Sequence, residues 1–386
     1  MSKAPLAGIK VVEIAGIGPG PCAGMMLADM GAEVIVIERK SAADAAAAMG
    51  TANDMNKHMF FNRGKKSIGI DMKAPEGVEA ALKFIEDADI LLEGFRPGVM
   101  ERLGLGPDVC LQRNPKLVYG RMTGWGQYGP LSHAAGHDSN YTGISGAQWY
   151  GGRKGSVPTA PLTLVGDLGG GTMMLLWGVM CALNHAGQTG EGQVVDAAIT
   201  DGSAYLSSLL MMMNNTGQIA DEFGTGWADG GAPWSETYEC ADGGFINVCA
   251  LEPQFYQQLI ELLELTDNPL FSNQWDTASW DKAKVELATL FRRRTRDQWC
   301  ELLEGTDSCF APVLNFTEAA EHPHNVERKT FLEIEGVLQP APAPKLSLNQ
   351  PEVGVAPIAG GNRDELIAAS GWDADFVAEL KAKQVI

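Results

Sequence analysis

Apolar and polar positions along the first half of the chain fall into short blocks of two kinds. Residues 9–14 (Ile-Lys-Val-Val-Glu-Ile) are dense in branched apolar side chains, the pattern of a strand buried on both faces. A glycine-rich turn follows, Gly16-Ile17-Gly18-Pro19-Gly20, and then a helical pattern over about 21–30. Residues 33–38 (Glu-Val-Ile-Val-Ile-Glu) repeat the strand pattern. This is a β-α-β unit, and the same alternation continues: strand 67–70, helix 74–86, strand 89–92, a short helix bearing Arg102, and strand 117–121. Strands alternating with helices predict an α/β fold with a parallel sheet.

The second half reads differently. The apolar run Leu162 to Val165 looks like a strand, and a helix is expected from just after Asp167 to about 185. A strand at 192–196 and a helix at 201–213, carrying Met211-Met212-Met213, complete the first block. Residues 214–232, rich in glycine and polar side chains, read as a linker, and a smaller α+β domain is expected over 233–325. Within it, strands at 237–240 and 245–249 are joined by an Asp242-Gly243 turn, and helices follow at 253–265, 282–293 and 296–303. Residues 340–357 hold five prolines and are expected to be extended, before two short helices at 363–369 and 373–383.

Composition narrows the function classes. The chain has 386 residues, 45% of them hydrophobic and 20% charged, which fits two or three globular domains. A formal net charge of -19 opposes a nucleic-acid partner, whose phosphates need a basic footprint. The seven cysteines include no C-x-x-C pair, so they read as reduced cytoplasmic thiols rather than a disulfide framework or a zinc site. The first residues lack the apolar core of a signal peptide, and the run 173–183 is too short to span a membrane, so no membrane association is expected.

Candidate chemistry begins at the first turn. Gly18-x-Gly20-x-x-Ala23 fits a relaxed dinucleotide fingerprint, with Glu38 where a ribose-binding acid would stand. Pro19 and Pro21, however, remove N–H donors that a pyrophosphate would use, which argues against NAD. Arg39, Lys73, Arg96 and Arg102 all fall at or just beyond expected strand ends, the edge where open α/β sheets bind ligands. His137 and Asp167 each sit beside glycine, thirty positions apart. Asp167 is placed to cap the helix after it, and the free N–H groups of that first turn are expected to face a developing oxyanion.

Several longer motifs are more specific. They are Gly136-His137-Asp138-x-Asn140-Tyr141, Gly166-Asp167-x-x-Gly170-Gly171, Asp229-Gly230-Gly231-Ala232-Pro233 and Ala250-Leu251-Glu252-Pro253-Gln254-Phe255, with Phe95-Arg96-Pro97-Gly98-Val99 and Gly192-Gln193-Val194-Val195-Asp196 beside them. Together they resemble the α-methylacyl-CoA racemase branch of the family III CoA-transferase superfamily over nearly the whole chain. The resemblance implies a Rossmann-like large domain built from 1–213 and 326–386, a small domain from the middle, and an interlocked homodimer with sites shared between subunits. It implies His137 and Asp167 as two catalytic bases acting on an acyl-CoA, with Glu252 of the other subunit pairing with the His. It also implies CoA binding by Arg39, Ile70, Asp71, Met72, Lys73, Gly94, Phe95, Arg96, Arg102, Gly136, Asp138, Ser139, Asn140 and Tyr141. No metal or redox cofactor is implied, since CoA is part of the substrate thioester. Removing a proton α to a thioester carbonyl on one face and returning one on the other needs a base on each face, and a His with an Asp supplies them. A CoA-transferase of the same superfamily, with Asp167 as nucleophile, is the alternative. His137 and Glu252 speak against it, because a transferase does not need them. Trp234-Ser235, Ser139 and Asn362 depart from the branch's usual residues and bear on acyl-chain specificity.

Overall fold

A computed structural model describes residues 4–49, 56–349, 351 and 353–386. The chain divides into two compact units. The first takes Met1–Ser145, Pro161–Leu206 and Lys329–Ile386, and the second takes Gly146–Ala160 and Ser207–Arg328.

The first unit is built on a six-stranded parallel sheet: β1 (Lys10–Ile14), β2 (Glu33–Arg39), β3 (Lys66–Ile70), β4 (Ile90–Glu93), β5 (Val118–Thr123) and β6 (Gln193–Ala198). Their order is β3-β2-β1-β4-β5-β6. Val12 of β1 pairs with Ile35 on one side and Leu91 on the other, so the order reverses between β1 and β4. A crevice opens at such a reversal, outside the carboxyl ends of the strands. The branched apolar runs are buried on both faces, as the pattern requires: Val12, Ile37, Ile68 and Leu91 on one side, Val11, Val34, Ile90 and Val118 on the other.

Local chemistry sets the helices. α1 (Pro19–Asp29) starts two residues earlier than the pattern suggests, directly after Gly18, whose φ of 68° turns the chain. Pro19 and Pro21 therefore stand in the first turn of the helix. The missing N–H groups leave no intrahelical bond unmade there. α2 (Lys40–Met49), unmarked in the sequence reading, follows β2 directly. α3 (Pro75–Glu86) opens with proline and carries Glu76 in its first turn. The last two residues are buried, and Asp71 N–H bonds the Val385 carbonyl at 2.9 Å, tying the C-terminus to the end of β3.

The stretch around Asp167 differs from the expectation of a strand and then a helix. Residues 162–165 make no strand. Leu164–Met173 is a wide helix, opened by a Leu168 N–H to Thr163 carbonyl bond of 2.9 Å. It runs on without a break into α7 (Met174–Thr189). Asp167 thus lies inside the first turn rather than at the cap. Glycine permits this path: a Cβ on Gly170 would lie 2.5 Å from Ser203 Oγ, and one on Gly202 would lie 1.9 Å from the Gly170 carbonyl oxygen. The continuous helix spans 26 residues and is long and apolar enough to cross a membrane by length and composition, unlike the shorter run read from the sequence. It is the crossover between β5 and β6, however, and Leu175, Val179 and Ala182 on it belong to the core against that sheet. The single helix expected at 201–213 is two, α8 (Ile199–Leu206) and α9 (Ser208–Asn215).

In the second unit an antiparallel sheet, β7 (Ser235–Glu239), β8 (Phe245–Cys249) and β9 (Phe310–Val313), packs with α10 (Pro253–Leu262), α11 (Thr277–Phe291) and α12 (Arg296–Leu303). Trp234, Trp280, Phe291 and Trp299 form its core. β9 escaped the sequence reading because its four residues include Pro312.

Candidate active site

Turns at the carboxyl ends of β1, β4 and β5 surround one cavity of about 330 Å³. β1 contributes Glu13 and Ile14, and Arg96 comes from the turn after β4. His137 enters from the turn before α6 (Asp138–Ser145), and Asp167 from the wide helical turn. Both expected bases therefore line the same space. A second cavity, of about 410 Å³, lies at the ends of β2 and β3 and is lined by Arg39, Ile70, Asp71, Met72, Lys73 and Phe95 among others. Gly94, Gly136 and Tyr141 line the first cavity. Arg102 lines neither; it sits on α4 (Val99–Arg102), where a Cβ on Gly98 would lie 3.3 Å from its guanidinium. Among the described residues Arg39, Lys73, Arg96 and Arg102 form no ion pair.

The Gly136–Tyr141 motif is held by its own bonds. His137 N–H donates to Asn140 Oδ1 at 3.0 Å, and Asn140 N–H to the His137 carbonyl at 2.8 Å. Tyr141 O–H donates to the Gly136 carbonyl, and its ring stands edge-on to Trp125 with centroids 4.7 Å apart. His137 itself is exposed, as are Ser139 and Asn140. Asp138 turns its carboxylate to Asp167 and accepts that residue's N–H at 2.9 Å.

This bond corrects the expected oxyanion donors. The Asp167 N–H is spent on Asp138 and the Leu168 N–H on the Thr163 carbonyl. The start of α1 faces the cavity instead, through Gly18 and Gly20, while the His137 N–H before α6 is already given to Asn140.

Asp167 is one of several carboxyls that burial perturbs here. Burial pushes its carboxyl above the usual range; Asp138 adds to the rise and His137 opposes it. Tyr141 is pushed up by burial and by the Asp167 charge, with Arg96 acting the other way. Two buried ion pairs form the floor. Lys65 Nζ contacts Glu13 Oε2 at 2.7 Å and the Pro21 carbonyl at 2.9 Å. Arg121 Nε contacts Glu93 Oε1 at 2.8 Å, while Glu93 Oε2 accepts the Phe95 N–H at 2.7 Å. Among the described residues Glu13 Oε1 has no partner although it is buried, and burial drives this carboxyl upward against the Lys65 charge. The sequence reading passed over Glu13 and Glu93. Their signal was a carboxylate set among the apolar residues of a buried strand.

Glu252 belongs to the second unit. It is exposed and stands at the N-cap of α10, where its carbonyl accepts the Tyr256 N–H at 3.0 Å but its side chain makes no capping bond.

The chain is 41% identical to the α-methylacyl-CoA racemase of Mus musculus over 384 residues, covering 99% of this chain and 97% of that protein. It is 39% identical to the α-methylacyl-CoA racemase of Homo sapiens over 385 residues, covering 99% and 97%. A solved CAIB/BAIF family protein from Brucella suis shares the fold with a TM-score of 0.79 at 23% identity, covering 96% of this chain and 100% of that one. The sequence profile of CoA-transferase family III matches residues 6–360, and the chain belongs to that family.

Proposed function

We propose that the protein interconverts (2R)- and (2S)-2-methylacyl-CoA thioesters by a two-base reaction at His137 and Asp167. The observation that carries this reading is that both side chains line one cavity at the point where the strand order reverses. Whole-length similarity to two racemases supports it. In one direction the ionised base takes the proton from C2, and the electron pair moves into the thioester carbonyl to give an enolate. The opposite base, protonated, then returns a proton to the other face of C2. The reverse direction exchanges the two roles, so no atom is gained or lost. The raised Asp167 carboxyl suits this exchange, because a more basic carboxylate is a better match for a weakly acidic carbon acid. The positive end of α1, at Gly18 and Gly20, stabilises the enolate oxygen. The CoA moiety follows the strand ends, with Arg96 beside the first cavity and Arg39 and Lys73 in the second. No cofactor beyond the CoA of the substrate takes part.

The reading includes a cytoplasmic homodimer in which Glu252 of the partner subunit fixes the orientation of His137, as a carboxylate does in other histidine-based sites. On the first unit Leu164, Trp177 and Tyr205 are 61, 69 and 71% exposed, apolar surface that a second copy would cover. Co-expressing inactive Glu252→Gln and His137→Ala chains tests this. A shared site predicts that heterodimers carry one intact site and regain up to half of wild-type activity. Inactive heterodimers that remain folded would place both residues of each site in one chain.

The second reading, favoured by the family match, is acyl transfer with Asp167 as nucleophile. Incubation of the pure protein with (2R)-2-methylacyl-CoA in deuterium oxide, without an acceptor acid, separates the two. Racemisation gives α-deuteration with inversion. Transfer gives neither, and requires an added carboxylic acid.

A further inference from the structure

We infer that Asp138 is a positioning residue that fixes the Asp167 carboxylate in the cavity, rather than a ligand for CoA. The inference rests on the two-base reading above. Three observations meet on this side chain. Asp138 follows His137 directly and begins α6, so it is anchored to the same turn as the other base. Its Oδ1 accepts the Asp167 N–H at 2.9 Å. A Cβ on Gly166 would lie 2.2 Å from that same oxygen, so the carboxylate is seated against the backbone just before Asp167, where only glycine leaves room.

The wide helical turn gives this seat its purpose. In an ordinary helix the fourth residue would be tied to the chain four positions back. Here the turn opens, with Thr163 at φ 58° and Leu168 N–H reaching back five positions. The Asp167 N–H is left for a partner outside the helix, and Asp138 supplies it. One short side chain thus bridges the elements that carry the two bases. The distance across which a proton must pass from one base to C2, and from C2 to the other, is set through it.

The bridge also has an electrostatic consequence. The charged or titratable groups facing Asp167 come from the α6 side: Asp138, which raises its carboxyl, His137, which lowers it, and Tyr141, which feels its charge. From α1 the facing residue is Gly18, which carries no charge; a Cβ there would lie 3.7 Å from Asp167 Oδ2. Asp138 is therefore the group whose removal leaves Asp167 less basic.

Two variants separate the tether from the charge. Asp138→Asn keeps an oxygen for the Asp167 N–H and removes the charge. Asp138→Ala removes both. For α-deuteration of 2-methylacyl-CoA, Asp138→Ala is expected to lower kcat by about 10²-fold, the scale of an ångström-level misplacement of a reacting group, with KM unchanged. Asp138→Asn should keep kcat within a few-fold, with the limb of the pH profile that belongs to Asp167 moved to lower pH. Protein labelled with 13C at the aspartate carboxyls gives a readout free of turnover. The resonance missing in Asp167→Asn is that of Asp167, and in Asp138→Asn it should titrate at lower pH than in wild type. If wild type shows no α-exchange, the proposed reaction fails, and the Asp167 amide then decides the tether: its hydrogen exchange should speed up in Asp138→Ala and stay slow in Asp138→Asn, and equal exchange in both would overturn it. A raised KM with unchanged kcat in Asp138→Ala, or an Asp167 titration that Asp138→Asn leaves in place, would overturn the inference.

Discussion

Replacing Gly166 by alanine tests how tightly the fold sets the candidate base. The added Cβ would lie 2.2 Å from Asp138 Oδ1, 3.0 Å from Asp138 Cγ and 3.0 Å from Thr142 Cγ2. Ordinary contact begins near 3.4 Å, so Asp138 must retreat by about 1 Å or the wide turn must shift by as much. Asp138 is too short to swing aside as a lysine would, and the main chain of α6 behind it is fixed by the Thr142 hydroxyl on the Asp138 carbonyl. Overpacking of this kind costs about 1–3 kcal/mol, which lowers the unfolding midpoint by about 2–4 °C per kcal/mol in units of this size. The larger effect should be on rate. Movement of the Asp167 carboxylate by about 1 Å lowers kcat for α-deuteration by about 10²-fold. KM should stay near wild type, because the basic residues at the ends of β2 and β4 are untouched. Thermal unfolding and steady-state exchange kinetics on the same preparation read both quantities. Wild-type kcat in a folded Gly166→Ala protein would refute the claim that the close seat of Asp138 on Gly166 positions the base.

Lys65→Met leaves the buried Glu13 charge without its partner and should cost about 3–5 kcal/mol; adding Glu13→Leu should recover most of it, and equal losses in the single and double variants would contradict a buried pair. Asp167→Asn should raise the unfolding midpoint at neutral pH. Burial and Asp138 hold the folded carboxyl above its unfolded value, so its ionisation costs stability as pH rises from the unfolded towards the folded value, and that cost is absent at lower pH. The gain should disappear on acidification below the usual carboxylate range, and a gain independent of pH would point to some other cause. Arg102→Ala should raise KM for acyl-CoA more than it lowers kcat, and an unchanged KM would remove Arg102 from the CoA path.

Much of the sheet was legible because its strands are buried on both faces and read as continuous branched runs, such as Val11-Val12 and Ile35-Val36-Ile37. The basic residues could be placed because a parallel sheet offers ligands only its carboxyl edge. What escaped depended on tertiary context. A wide turn has no periodicity of its own over Leu164–Met173, and its glycines read equally well as a loop. Donors near Asp167 looked free because sequence does not reveal that Asp138, twenty-nine positions earlier, accepts one of them. Glu13 looked like an ordinary strand residue, since its partner Lys65 lies fifty-two positions away on the segment leading to β3. The hairpin of β10 (Phe331–Ile334) and β11 (Val337–Pro340) was missed beside a proline-rich stretch, although Glu335-Gly336, both at positive φ, form its turn.

The central claim is that His137 and Asp167 serve as bases on opposite faces of one α-carbon. Its most direct measurement follows (2R)- and (2S)-2-methylacyl-CoA separately in deuterium oxide, with wild type, His137→Ala and Asp167→Ala. Deuterium incorporation and configuration at C2 are read together. Wild type should incorporate deuterium and invert both epimers. Each variant should lose inversion of both epimers. With one base left, each should exchange the α-hydrogen of only one epimer, and the two variants should choose opposite epimers. Inversion surviving in either folded variant, or both variants exchanging the same epimer, would contradict a base on each face.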